Sequence, residues 1–309
     1  MSRLLHPTRY MVLIFLVACV PTTPEVPPKT AFHIFRFNPP ALIQFSEDYQ
    51  PIKEIPLSFS PSCGLLNTFP SPRGSFTAIE LSCPSGQAVL FLDTDTSDLK
   101  PAFSESDSHF LAWTPDGKAA YLKVDSLGNA RILRISVTGD QEFIPLPAVT
   151  YDLAPIPSGR EFTFTFSRGL GYGSEIWFAQ RDGRIVEQLI ADQFNYISFA
   201  RWSPDGKQIT FIKIPDTQTP FTVGELWAMN ANGSRARKLA DADAGHGYMA
   251  NWSPDGKSIA FVLRENPENE SANQSSDALI SNIYLVEVDS GKLTQLTHFE
   301  NARELRQSA

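Results

Sequence analysis

The sequence predicts an all-β protein folded as a single β-propeller, and three observations lead to this prediction. Its 309 residues include 18 glycines and 24 prolines, which leave little room for long helices. The 22 phenylalanines and four methionines suit aromatic-filled sheets better than helical packing. The third observation is an internal repeat in which a tight turn is followed by an apolar strand. The net charge of −8 also argues against a partner that is a nucleic acid.

The repeat is carried by a six-residue turn that begins with tryptophan. It reads WTPDGK from Trp113 and WSPDGK from Trp202 and from Trp252. Two degenerate copies, at residues 71–75 and 157–160, lack both the tryptophan and the aspartate. Successive copies lie 43, 42, 47 and 50 residues apart, which is the length of a four-stranded propeller blade.

The residues of this turn have a structural interpretation. Proline fixes φ at the start of the turn, aspartate favours the turn, and glycine adopts the positive φ that follows. A tryptophan that recurs in the same register is expected to pack between blades rather than bind a ligand. The positions interpreted in this way are Trp113, Asp116, Gly117, Trp202, Asp205, Gly206, Trp252, Asp255 and Gly256.

The propeller is expected to span residues 32–298 and to be followed by a polar tail at 299–309. Ahead of the first turn, residues 32–37, 41–45 and 52–57 read as strands with no turn motif of their own. They are interpreted as the later part of a blade completed elsewhere, because an unpaired strand edge is unfavourable. Together with the five turn units, they predict six four-stranded blades, with seven as the alternative.

The WSPDGK turn followed by an apolar strand resembles the WD-repeat-like units of TolB-like propellers. The resemblance covers roughly residues 32–298 and is specific in the three intact copies. It implies a non-catalytic scaffolding or envelope-associated protein with a protein or peptide partner. Some propellers that resemble this family are pectate-type lyases that hold a metal with channel histidines. A carbohydrate-active or glycan-binding propeller with a channel metal is therefore the alternative function.

The N-terminus predicts export. A basic start precedes an apolar run at residues 11–20, which is too short to span a bilayer and is typical of a secretory signal. The run contains LVAC, ending at Cys19, which resembles the lipobox of bacterial lipoproteins. This resemblance implies a signal peptide at 1–18, a lipidated Cys19 and a proline-rich tether at 19–31. The protein would then be a monomer anchored to a membrane by lipid alone, facing the periplasm or the exterior. An ordinary secretory signal is the alternative.

Two further cysteines are expected to form a disulfide. In a hairpin centred on Arg73, cross-strand partners have residue numbers that sum to about 146, as those of Cys63 and Cys83 do. Export would permit their oxidation. Two buried free thiols are the alternative.

Patterns for catalysis and metal binding are mostly missing from the sequence. It has no GxSxG elbow, phosphate-binding lysine loop, paired-histidine zinc motif or cysteine pair at metal spacing, so neither a cofactor nor a catalytic residue is predicted. The carboxylates of residues 93–98 have calcium-loop spacing but lack the glycine and distal glutamate, which favours a solvated turn. His109 and His246 are weak metal candidates, because two ligands fall short of the usual three or four.

The long loops are expected on one face of the ring, opposite the tight turns. They lie at residues 167–174, 215–224, 240–250 and 264–280, and a scaffold usually carries its binding function on such loops. The alternative is that they are merely tolerated insertions. The aromatic candidates for ligand contact are Tyr172, Phe221, His246 and Tyr248. The residues expected to make this face acidic are Asp241, Asp243, Glu265, Glu268 and Glu270.

Overall fold

The computed structural model describes residues 32–37, 39–46, 50–103, 107–126, 128–243 and 250–300. The predicted signal peptide, Cys19 and tether lie outside these residues, as do His246, Tyr248 and most of the predicted C-terminal tail. In the described part of the chain, no helix combines the length and the apolar character that crossing a membrane requires.

The described residues form strands joined by short connections, with one short helix. The helix α1 is Glu270–Gln274, and a 3₁₀ turn at Ser276–Ala278 follows it. The strands are β1 (Phe32–Phe37), β2 (Pro40–Phe45), β3 (Pro51–Pro56), β4 (Gly64–Pro70), β5 (Phe76–Cys83), β6 (Gly86–Asp93), β7 (Leu99–Pro101), β8 (Asp107–Trp113), β9 (Ala119–Ser126), β10 (Asn129–Ser136), β11 (Gln141–Ile144), β12 (Thr150–Pro155), β13 (Glu161–Phe166), β14 (Ser174–Gln180), β15 (Ile185–Asp192), β16 (Asn195–Trp202), β17 (Gln208–Pro215), β18 (Val223–Asn230), β19 (Arg237–Asp243), β20 (Asn251–Trp252), β21 (Ser258–Arg264), β22 (Ser281–Glu287) and β23 (Leu293–Gln295).

These strands form six antiparallel sheets in chain order, which are the six blades of a β-propeller. Blade 1 is β1–β3, and blades 2 to 6 are β4–β7, β8–β11, β12–β15, β16–β19 and β20–β23. The prediction of six blades is confirmed, and seven is wrong. Apolar clusters join each of blades 1 to 5 to the next blade along the chain.

Burial within a blade explains the sequence pattern of its strands. The second strand is buried on both sides because neighbouring blades cover both faces of the sheet, and β13 accordingly carries the fully buried Phe162 and Phe164. The outermost strand lies at the edge of the ring, and β15 is mostly exposed. The aromatic residues that are fully buried, Phe162, Phe164 and Phe211, all lie in second strands.

Blade 1 has three strands among the described residues, and its connections identify them. In blades 2 to 6, five residues separate the first strand from the second. Only two residues separate β1 from β2, as between the second and third strands of blades 2 and 3. β1 therefore corresponds to a second strand, which agrees with the prediction that the chain begins with the later part of a blade.

The predicted disulfide between Cys63 and Cys83 is confirmed, with their Cα atoms 4.2 Å apart. It closes the open end of the β4–β5 hairpin, next to the Gly64–Ser82 pair. Near the turn, partners' residue numbers sum to 147, and an irregularity between Leu65 and Asn67 changes this sum to 146. The bulge is thus what brings the two cysteines opposite each other.

Candidate functional site

The propeller has two faces that carry different kinds of connection, and we name them the turn face and the loop face. The turn face carries the connections between first and second strands, and the loop face carries those between second and third strands. The connections on the turn face are five residues long in each of blades 2 to 6. On the loop face, the corresponding connections in these blades have two, two, seven, seven and sixteen residues.

Each motif aspartate stabilises its own turn. Asp205 Oδ1 accepts hydrogen bonds from the Ser203 hydroxyl at 2.7 Å and the Lys207 N–H at 3.1 Å, and Gly206 has a φ of +69°. The hydroxyl bond, followed by the N–H bond, holds the pKa of Asp205 below its usual range. Asp116 and Asp255 accept equivalent bonds at the same positions of their turns.

The motif tryptophans connect blades. Trp113 Nε1 donates to the carbonyl of Phe69 at 2.7 Å, and Trp202 Nε1 donates to that of Ala154 at 3.1 Å. In the same way, Trp252 Nε1 donates to the Arg201 carbonyl at 3.0 Å. Each indole thus binds the innermost strand of the preceding blade while its ring packs in the interface. The geometry supports a structural role for all three residues.

The innermost strands of blades 2 to 6 surround a central channel. Near the turn face, residues of all five strands line a cavity of about 460 Å³ with mostly apolar walls. Toward the loop face, a cavity of about 440 Å³ is more polar and is lined by Asn67, Glu80, His109 and Lys123 among others. The channel therefore changes from apolar to polar along its length.

His109 is the candidate metal ligand that the structure describes, and it lies between two carboxylates. Its Nδ1 is 3.9 Å from Glu80 Oε1, and its Nε2 is 3.6 Å from Asp107 Oδ2. Glu80 already accepts bonds from Asn67 Nδ2 and the Phe110 N–H, both at 3.2 Å. Among the described residues, no group of three or more histidine, cysteine or acidic side chains could hold a metal ion. These residues do not fit a metal centre.

A second polar pair in the channel wall was missed by sequence analysis. Arg201 Nη1 lies 3.1 Å from Asp152 Oδ1, and Asp152 Oδ2 accepts the Ala200 N–H at 2.9 Å. The pairing depends on an irregularity in β16, where Phe199 has a φ of +58°. No local sequence signal identifies this pair, because it joins blades 4 and 5 across a bulge.

The long loops of blades 4 and 5 are joined through Asp216. Asp216 Oδ2 accepts the N–H groups of Gly171 at 2.8 Å and Gly173 at 2.9 Å, while the Asp216 N–H donates to the Phe194 carbonyl at 2.9 Å. Gly173 has a φ of +60°, and a Cβ there would lie 1.9 Å from the Asp192 carbonyl oxygen. A larger residue cannot replace it, because the loop lies against the end of β15, the last strand of blade 4.

The long loops of blades 5 and 6 are joined through Arg264. Its side chain is buried and donates to the Phe221 carbonyl and to Asn273 Oδ1, at 3.1 and 2.9 Å. Two more bonds reach the carbonyls of Asn266 and Asn269. The Phe221 ring packs against Ala272 and Leu279 in a small cluster. The loops at 167–173, 216–222 and 265–280 therefore form one continuous structure, which we name the loop rim.

The loop rim exposes one of the predicted aromatic candidates and buries part of another. Tyr172 is 69% exposed, as expected of a residue on a binding face. Phe221 was expected there too, but its packing beneath α1 makes it part of the rim's internal support. Asp243 is likewise buried, where it accepts a bond from the Ser281 hydroxyl, so it does not add to the acidity of the face. Phe194, which sequence analysis missed, is 71% exposed.

The described residues define a six-bladed β-propeller with one elaborated face. No protein-family model and no curated protein matches the chain. Among solved structures, it is similar to the putative TolB from Agrobacterium tumefaciens at 23% identity and a TM-score of 0.58, over 70% of this chain and 80% of that one. It is also similar to TolB from Acinetobacter baumannii at 18% identity and a TM-score of 0.61, over 87% of this chain and 63% of that one.

A further neighbour is an oligogalacturonate lyase in complex with manganese. The identity is 14% and the TM-score 0.52, over 88% of this chain and 73% of that one. The chain spans less than two thirds of the A. baumannii protein. At these identities the likenesses show the fold alone, and the predicted TolB-like propeller fold is confirmed.

Proposed function

We propose that this chain is a non-catalytic β-propeller that acts outside the cytoplasm and binds a protein or peptide partner through its loop face. The observation that carries the proposal is the loop rim. Insertions that were only tolerated would not need shared anchors, yet the half-buried Asp216 and the buried Arg264 each bind backbone groups of a loop in a neighbouring blade. A rigid surface with exposed aromatic side chains suits recognition of a protein.

The proposed location is the outer side of a membrane, reached through a lipid on Cys19. The Cys63–Cys83 disulfide supports export, because such bonds persist in oxidising compartments. The proline-rich residues 19–31 would hold the propeller away from the bilayer. In this proposal the protein is a monomer that meets its partner at the loop face.

Site-specific photocrosslinking in the source cells tests the binding proposal. A benzophenone amino acid at position 172 should give a discrete protein adduct. The matched control is position 143, where Phe143 is 58% exposed on the outer strand β11 and should give none. A third position, Lys207 on the turn face, should also remain free of adducts. Adducts at 143 or 207 but not at 172 would contradict the assignment of the face.

The location has its own test. Cys19→Ser should move the protein from the membrane fraction to the soluble fraction, because one cysteine would carry the anchor. Cys63→Ser/Cys83→Ser is the matched cysteine control and should leave membrane association unchanged. If the Cys19→Ser protein stays membrane-bound, the lipid anchor is wrong.

A further inference from the structure

Three exposed apolar side chains, those of Leu170, Tyr172 and Phe194, lie where blades 4 and 5 meet on the loop face, and we name them the apolar patch. Their exposed fractions are 53%, 69% and 71%. Asp216 ties the backbones of these segments together, because it binds the amides on both sides of Tyr172 and the carbonyl of Phe194. Large apolar side chains held together in water commonly mark an interaction site.

The patch is fixed before any partner arrives. Asp192 Oδ1 accepts the N–H groups of Phe194 at 3.0 Å and Asn195 at 3.1 Å. Asp192 Oδ2 in turn binds Lys213 Nζ at 3.0 Å, with both side chains largely buried. Because the backbone beneath the aromatic side chains is already ordered, binding would cost little conformational entropy.

The loop rim, to which Leu170 and Tyr172 belong, is acidic overall. Its single basic residue is Arg168, in the loop of blade 4. Glu268 and Glu270, which lie just before α1 and at its first position, are exposed. The acidic residues of the rim are Asp216, Glu265, Glu268, Glu270 and Asp277. These five carboxylates outnumber the guanidinium of Arg168 and the buried guanidinium of Arg264, which gives this face a negative potential that would attract a positively charged partner.

We infer that the loop face binds a cationic amphipathic segment of a partner protein, with its apolar side chains on Leu170, Tyr172 and Phe194 and its basic side chains against the acidic rim. The inference rests on the proposed function and names the chemistry of the partner. An anionic lipid surface would be repelled by the rim. A second copy of this chain, with a net charge of −8, would be repelled as well.

Peptide binding to the purified full chain tests this inference. The probe is a fluorescent 14-residue helix-forming peptide with leucine and tryptophan on one face and lysine on the other, named the lysine peptide. The control peptide has glutamate in place of every lysine. Anisotropy titrations should give at least about tenfold tighter binding of the lysine peptide, weakening as salt rises. Equal binding of the two peptides, or none of either, would overturn the inference.

Variants separate this site from general attraction to an acidic protein. Tyr172→Ser/Phe194→Ser should weaken binding of the lysine peptide about tenfold or more. Glu268→Lys/Glu270→Lys should weaken it several-fold and reduce its salt dependence. Phe143→Ser removes another exposed phenylalanine, on β11, and should change nothing. If Phe143→Ser weakens peptide binding as much as Tyr172→Ser/Phe194→Ser does, the patch is not the binding site.

Two further outcomes distinguish the inference from the proposed function. Binding of the chain to vesicles with anionic lipids, abolished by Tyr172→Ser/Phe194→Ser, would assign the patch to a membrane and overturn the inference. Crosslinking of a protein at position 172 without any preference for the lysine peptide would leave the proposed function standing and reject only the cationic partner.

Discussion

The turn face and the loop face are built from the same six sheets, yet they differ in repetition. On the turn face, the turns at Asp116, Asp205 and Asp255 have the same length and the same internal hydrogen bonds. On the loop face, the connections between second and third strands range from two to sixteen residues. A surface that repeats around a ring cannot present a unique site. The regular turn face therefore fits a structural role, and the varying loop face fits the proposed role in binding.

The loop face is itself uneven around the ring. Blades 2 and 3 have two-residue connections there, whereas blades 4 to 6 carry the loop rim. Short connections thus border one side of the channel mouth. The longer loop rim, held in place by Asp216 and Arg264, borders the other side. This asymmetry would orient a partner across the mouth, with the polar channel residues Glu80 and His109 below it.

The largest expected effect contrasts a turn-side tryptophan with a loop-face tyrosine. Trp202→Ala should lower the free energy of unfolding by about 3–5 kcal/mol, because it leaves a cavity between blades 4 and 5 and removes the bond to Ala154. Tyr172→Ala should change it by less than about 0.5 kcal/mol, since that ring is exposed. Equilibrium urea unfolding measures both. If the two variants lose similar amounts of stability, the proposed division of roles between the two faces is wrong.

The disulfide gives the next effect. Blade 2 lacks the motif tryptophan and aspartate, and the bond between Cys63 and Cys83, 20 residues apart, closes its hairpin at the loop-face end. Cys63→Ala/Cys83→Ala should lower the free energy of unfolding by about 2–4 kcal/mol. The matched measurement is wild-type protein unfolded with and without a reductant. Stability unchanged by either treatment would show that blade 2 needs no covalent support.

The repeating part of the molecule could be predicted from sequence, and the varying part could not. Trp202, Asp205 and Gly206 recur with a fixed spacing, so each copy strengthens the interpretation of the others. The disulfide followed from the register of one hairpin. The contacts of Asp216 and Arg264 join loops 43 or more residues apart. Such contacts depend on how blades lie side by side, which a repeat pattern does not encode.

Individual loop residues show the same limit. Tyr172 and Phe221 look alike in the sequence, since each is an aromatic residue within a long polar loop. They differ in burial, which only the folded structure shows. Phe221 packs under α1, whereas nothing in the described chain buries Tyr172 to the same degree. Phe194 was missed for the opposite reason, since its connection is too short to be noticed as a loop.

The smallest expected effect is a pH dependence of the loop face. Burial alone would raise the pKa of Asp192, but the Lys213 ammonium and the Phe194 N–H outweigh it and hold this pKa below its usual range. A lowered pKa means that the ionised carboxylate stabilises the fold above about pH 4, and that this contribution is lost as the pH falls through the folded-state value. Asp192→Asn should therefore cost about 1 kcal/mol at pH 7 and progressively less below pH 4.

Asp205→Asn on the turn face is the control, because the pKa of that exposed carboxyl is also lowered, by the Ser203 hydroxyl. Both variants should converge on wild-type stability in acid, but Asp192→Asn alone should also weaken the lysine peptide at pH 7, because Asp192 holds the backbone of Phe194. Unfolding curves between pH 3 and 7, paired with peptide titrations, measure the two effects. If both variants weaken peptide binding equally, the two faces are not functionally separate.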